Sequence, residues 1–212
     1  MTSSTSLSTL TPLTSLNTGD VLLFDYTGDG FLGLFSACIK FCTNSNYSHS
    51  AIVLKDPTWI DPSLTGLYAW ESSYEGTPDP QDGKIKLGVQ LIKLEKLVEE
   101  YKKHGYVYVR RLKGGDRELF TDENLKSIHE LVYNKPYDLN IKDWIDAFIR
   151  YDATPQKTDR FWCSALVGIV LTKLGVLDAG TDWSILRPSD FGSVAQRLNL
   201  IGEYSFENEE QL

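Results

Sequence analysis

Clusters of lysine and arginine are missing from this chain. Its 21 basic residues are outnumbered by 29 acidic ones and the net charge is -8. Arg110-Arg111 at the end of a strand is too small a patch to hold a polyanion, which argues against nucleic acid and anionic membrane surfaces as partners. Cysteine is scarce as well: three residues, an odd number, build no disulfide framework and point to a reducing compartment. Long apolar runs are absent. The best candidate, 165–177, falls short of the roughly 18 residues a membrane helix needs and contains Lys173. No segment repeats, and Gly28 and Gly30 lack the spacing and the closing Lys-Ser/Thr of a phosphate-binding loop. The Ser/Thr-rich start, 1–16, has neither a positive beginning nor an apolar stretch of the length a Sec-type signal requires, so it reads as a tail. The acidic end, 201–212, reads the same way.

What is present suits one domain over 17–200. Hydrophobic residues make up 42% of the chain, enough for one substantial core. Short apolar or alternating runs predict strands at 20–24, 48–54, 67–72, 88–92 and 106–112. Three- and four-residue spacing of apolar positions predicts helices at 31–42, 94–103, 120–134, with Thr121 as N-cap, and 141–151, and a last short helix from Pro188 to Leu198. Asp20 is expected to satisfy backbone N–H groups of its own turn.

A further helix carries the most chemistry. Asp159 is a candidate N-cap, Leu166, Val167, Val170, Leu171 and Leu174 form the apolar face, and Gly175 is a plausible C′ residue. Cys163 then lies in the first turn, where unpaired N–H groups and the positive dipole end favour thiolate over thiol. Read alone, Cys163 is either a small core residue or a nucleophile. Upstream, an antiparallel pairing with Val53 opposite Leu67 puts His49 opposite Glu71. Because side chains alternate with period two, both then lie on one face of the sheet. A base for a thiol, held by a third group, is what a cysteine enzyme needs.

Taken in order, Gly19-Asp20-Val21-Leu22-Leu23, Tyr47-Ser48-His49-Ser50-Ala51-Ile52-Val53, the strand ending at Glu71, Gly88-Val89-Gln90-Leu91, 107–112, Lys135-Pro136-Tyr137-Asp138, Phe161-Trp162-Cys163-Ser164 and Arg187-Pro188-Ser189-Asp190-Phe191 resemble the circularly permuted members of the NlpC/P60 papain-like superfamily. The YiiX/YebB-like group and its poxvirus relatives are the nearest in pattern, over about residues 17–195. The resemblance implies an α+β fold, a small antiparallel, barrel-like sheet packed against helices, with the site between them. It implies Cys163 as nucleophile, His49 as base and Glu71 as the orienting acid, in an order reversed from papain. It also implies acyl transfer through a thioester, with neither metal nor organic cofactor required. The expected location is cytoplasmic, in a bacterium or a virus-infected cell.

Four readings follow from the residues. The first is an amide hydrolase acting on a peptide or an N-acyl group. The second applies the same side chains to lipid esters or thioesters, with Trp59, Trp70, Trp162 and Trp183 available to line either cleft. The third is a binding module without turnover. A metal site on Cys38, Cys42 and His49 is the fourth; Cys38 and Cys42, one helical turn apart, also fit a hydrophobic stripe. His104 and His129 are lesser base candidates, each also readable as a solvated or flanking histidine.

Overall fold

The computed structural model describes residues 11–28, 45–115, 117–138 and 158–212. The expected helices at 31–42 and 141–151, and with them Cys38 and Cys42, lie outside the described residues. Within them the fold is α+β: strands β1 (Val21–Tyr26), β2 (His49–Lys55), β3 (Leu67–Ser73), β4 (Gly88–Lys93), β5 (Gly105–Arg110), β6 (Leu112–Lys113), β7 (Ser205–Phe206) and β8 (Glu210–Gln211), with helices α1 (Leu94–Lys102), α2 (Asp122–Val132) and α3 (Cys163–Lys173).

Six strands form an antiparallel sheet in the order β4-β3-β2-β1-β5-β8, an open ladder whose edges are β4 and β8. Both faces are covered, which is why β1 and β2 read as continuous apolar runs rather than alternating ones. Leu22, Phe24, Ala51, Val53 and Ala69 pack under Leu94, Leu97 and Val98 of α1. Val21, Leu23, Ile52, Leu54, Tyr68 and Trp70 face α3, whose residues 163–171 are all buried. A helix hydrophobic on every side has to be central, and each fully buried Leu or Val in it contributes roughly 1.5–3 kcal/mol. Gly168 is its narrow point: a Cβ there would lie 2.8 Å from the Trp183 Cβ and 2.7 Å from a Leu186 methyl.

The β2/β3 register differs from expectation by two residues: Val53 pairs with Ala69 and Lys55 with Leu67. The loop decides it. Asp56 (φ 49°) and Gly66 (φ 92°) close its neck, Asp56 N–H donating to the Gly66 carbonyl and Gly66 N–H to Asp56 Oδ1, each at 2.7 Å. A shift of two leaves every side chain on its expected face.

Other boundaries also move. The last stretch of the expected 106–112 strand switches partner at Arg111, because Leu112 N–H is taken by Asp20 Oδ1 at 3.0 Å and β6 then pairs with β7. Asp20 Oδ2 accepts from Asn17 N–H at 2.9 Å, the turn role expected of it. Thr121 caps α2 through Asn124 N–H at 3.1 Å. Asp159 does not cap α3; Trp162 occupies the N-cap position and Cys163 is the first helical residue. The helix expected after Pro188 is a single 3-10 turn, Pro188–Phe191.

Neither expected tail is free along its described length. Thr11 N–H and Oγ1 reach Gln211 and Glu210, and Leu16 and Leu212 are buried together beneath α1. The acidic end adds β7 and β8, held by the Arg110 guanidinium, which donates to the carbonyls of Phe191, Phe206 and Glu207. Polar composition suggested solvent exposure; backbone pairing at a sheet edge, which composition does not report, overrides it.

Candidate active site

His49 opens β2 and its ring lies on the α1 face of the sheet, between Phe24 (centroids 5.1 Å apart) and Tyr101, which stacks on it at 6.2 Å and 14°. Glu71 of β3 is fully buried on the same face. In the observed register the two are diagonal neighbours, and His49 Nε2 meets Glu71 Oε2 at 2.8 Å. The other carboxylate oxygen accepts from Ser73 Oγ at 2.8 Å and from Gln90 Nε2 at 3.2 Å. A buried carboxylate with all these donors is held in one orientation.

Cys163 comes from the opposite layer. The chain ahead of it is pinned at Phe161, whose N–H donates to the Pro136 carbonyl at 3.1 Å and whose carbonyl accepts from Ser72 Oγ at 2.6 Å and Asp138 N–H at 3.2 Å. Gly88, bridged to Pro136 with φ 146°, lets that segment lie against β4; a Cβ there would strike the Lys135 carbonyl. Behind it, Ser164 Oγ donates to the Leu186 carbonyl at 2.7 Å. The first turn of α3 is thereby set at the start of β2, and the sulfur is hydrogen-bonded to His49 and to the backbone N–H groups of Ser50 and Ser164.

The electrostatics follow from this contact. Burial pushes the Cys163 thiol up, but the imidazole and the two N–H groups outweigh it and the net shift is downward. Burial likewise disfavours the His49 cation, yet the sulfur and then Glu71 outweigh it, and the imidazole is raised well above its ordinary value. Both shifts favour thiolate beside imidazolium. With Nε2 committed to Glu71, Nδ1 is the nitrogen left for sulfur.

The remaining candidates lie elsewhere. His104 is exposed. His129 is half-buried among Trp59, Trp70 and Tyr133 and bonds to Gln81 Oε1 at 2.7 Å; burial pushes it down to about 4. Trp70, Trp162 and Trp183 are core residues rather than walls of a cleft, and Trp162 Nε1 is buried with no hydrogen-bond partner among the described residues. Gln90, Tyr101, Ser73 and Glu75 belong to the site's surroundings without having been singled out in the sequence. Two of them had a signal: Glu71, Ser73 and Glu75 alternate along the chain, the spacing of one sheet face. Tyr101 and Gln90 carry none, since each meets the site only through packing. Among the described residues, no group of three or more His, Cys, Asp or Glu side chains is placed to hold a metal ion. No helix there is long and apolar enough to cross a membrane.

Comparison with known proteins yields a likeness of fold. No family model matches the chain, and no curated protein does. Among solved structures, the metalloprotein YiiX from Escherichia coli O157:H7 superposes with a TM-score of 0.51 at 16% sequence identity, covering 92% of this chain and 98% of that one.

Proposed function

We propose that this chain, with a YiiX-like fold, is a cysteine hydrolase of the permuted papain-like kind that cleaves amide bonds. The observation that carries this reading is that one imidazole, His49, meets Glu71 Oε2 through Nε2 at 2.8 Å and is also hydrogen-bonded to the Cys163 sulfur. Cys163 Sγ attacks the carbonyl carbon, and the electron pair displaced onto oxygen is met by the Cys163 backbone N–H at the start of α3. As the C–N bond breaks, the His49 imidazolium gives its proton to the leaving amine, and a thioester remains on sulfur. His49, now neutral, takes a proton from water; the hydroxide adds to the thioester, and a carboxylic acid leaves as the thiolate returns. Glu71 keeps the ring in the orientation that serves sulfur throughout.

Peptide and N-acyl amides are the substrates this scheme favours, since the imidazolium supplies the proton that a poor amine leaving group requires. Lipid esters and thioesters pass through the same steps.

A panel of peptide, N-acyl, ester and thioester donors tests the reading. Cys163→Ala and His49→Ala are each expected to abolish turnover, by roughly 10³-fold or more, the cysteine variant with unchanged thermal unfolding. Alkylation of Cys163 by iodoacetamide is expected to show an inflection well below the ordinary thiol range. Full turnover in Cys163→Ala overturns the reading. A thiol inert up to about pH 8.5 points to a binding module instead.

A further inference from the structure

Directly behind Glu71, two carboxylates share one hydroxyl. Ser73 Oγ lies 2.8 Å from Glu71 Oε1 and 2.8 Å from Glu75 Oε1, and it receives Gln90 Nε2 at 3.0 Å. A serine hydroxyl has one proton to donate and two lone pairs to accept with. Gln90 uses one lone pair, and the single proton serves one carboxylate. The other carboxyl, at the same short distance, must therefore bring a proton of its own. Glu71 faces the His49 ring through Oε2 at 2.8 Å and accepts from Gln90 as well, so the anion belongs there. The extra proton belongs on Glu75.

We propose, resting on the cysteine-hydrolase reading, that Glu75 is a positioning residue for the Cys163/His49 pair: its protonated carboxyl donates to Ser73 Oγ, committing the serine proton to Glu71 Oε1 and so fixing the carboxylate that orients His49. No covalent bond changes; one proton sits between Glu75 and Ser73, the next between Ser73 and Glu71.

The surroundings agree. Glu75 is half-buried just past the end of β3, and the groups facing it are Glu71 and Ser73 on that strand, His49 on β2, and Glu100 and Tyr101 on α1. Burial and then the Glu71 anion push its carboxyl up; His49 and Ser73 pull down, Glu100 adds to the rise, and the result is about 7. The loop beyond is anchored independently, because Asp79 Oδ2 holds Lys86 Nζ at 2.7 Å and Leu91 N–H at 3.3 Å. Below neutrality the relay is complete. Above it, two anions compete for one hydroxyl proton and Glu71 holds it for only part of the time.

The test compares the pH profile of Cys163 alkylation by iodoacetamide in the full chain, in Glu75→Gln and in Ser73→Ala. The amide introduced by Glu75→Gln donates an N–H to Ser73 Oγ at every pH, so it mimics the protonated carboxyl. The wild-type rate is expected to drop about twofold as pH rises through neutrality, because a hydroxyl shared equally by two anions serves each half the time. Glu75→Gln is expected to lose that step while keeping the low-pH inflection of the thiol; Ser73→Ala is expected to lose the step and to sit below the wild-type high-pH rate throughout. Direct ¹³C NMR of the Glu75 carboxyl is expected to titrate near neutrality. A wild-type profile with no such step, or a step that survives in Glu75→Gln, overturns the assignment. Loss of the low-pH thiol inflection in the wild type overturns instead the reading beneath it, so the two failures are distinguishable.

Discussion

Two charged clusters flank the loop between β3 and β4, and each contains a histidine packed among aromatic rings. In the first, His49 is clasped by Phe24 and Tyr101 and faces Glu71 and the Cys163 sulfur, and its imidazole is raised. In the second, His129 sits among Trp59, Trp70 and Tyr133, and burial pushes it down to about 4. Anions stand close to both. Near His129, however, Asp79 and Asp82 are engaged by Lys86 Nζ at 2.7 and 2.9 Å, and the hydrogen-bond partner left to the ring is the neutral amide of Gln81. Burial in aromatic surroundings therefore does not decide what an imidazole does. The difference lies in which anions are left for the ring: His49 meets the Cys163 sulfur and then Glu71, whereas the carboxylates near His129 are taken up by Lys86.

The sharpest way to break this contrast is to discharge the first cluster. Glu71→Gln is expected to lower turnover by about a hundredfold, less than loss of Cys163 or His49, and to move the alkylation inflection of Cys163 to higher pH. An unmoved inflection would mean that the carboxylate's charge does not hold the imidazolium. Next in size is the second cluster's cation. Lys86→Met leaves the fully buried Asp79 without its counter-charge and is expected to cost about 3 kcal/mol in denaturant unfolding. Unchanged stability would reduce that cluster to decoration.

The smallest effect belongs to His129. Its folded pKa of about 4 lies below the ordinary histidine value of 6.5. Between those limits the unfolded chain binds a proton that the folded one refuses, so stability is complete above 6.5 and declines as pH falls toward 4. Allowing for partial exposure, His129→Gln is expected to remove about 2 kcal/mol of that acid loss, measured as the difference in unfolding free energy between pH 7 and pH 4.5. A wild type whose stability is flat across this window would erase the asymmetry between the two histidines.

How much of this was legible beforehand depends on the period of each element. The His49–Glu71 contact survived a register error because the error was two residues, and a two-residue slip preserves the face of every side chain. A slip of one would have turned His49 away from Glu71. The strands were legible for the same reason, and α1 and α2 from their spacing with Thr121 as cap. The ends of the chain were not, since Arg110 holds the C-terminal segment by its carbonyls, and carbonyls have no residue identity to read.

By itself, then, the sequence determined the local matters: which stretches extend or coil, which side chains share a face, and that Cys163 lies in the first turn of a helix. These depend on neighbours a few positions apart, where periodicity carries the information. The tertiary structure alone decided that Cys163, brought in from the layer opposite His49, meets that ring at the start of β2, and that the Ser73 hydroxyl is divided between two carboxylates. Contacts between residues so distant along the chain are set by where Phe161 and Leu186 are pinned and by how the loops close. No repeat in the sequence records that geometry.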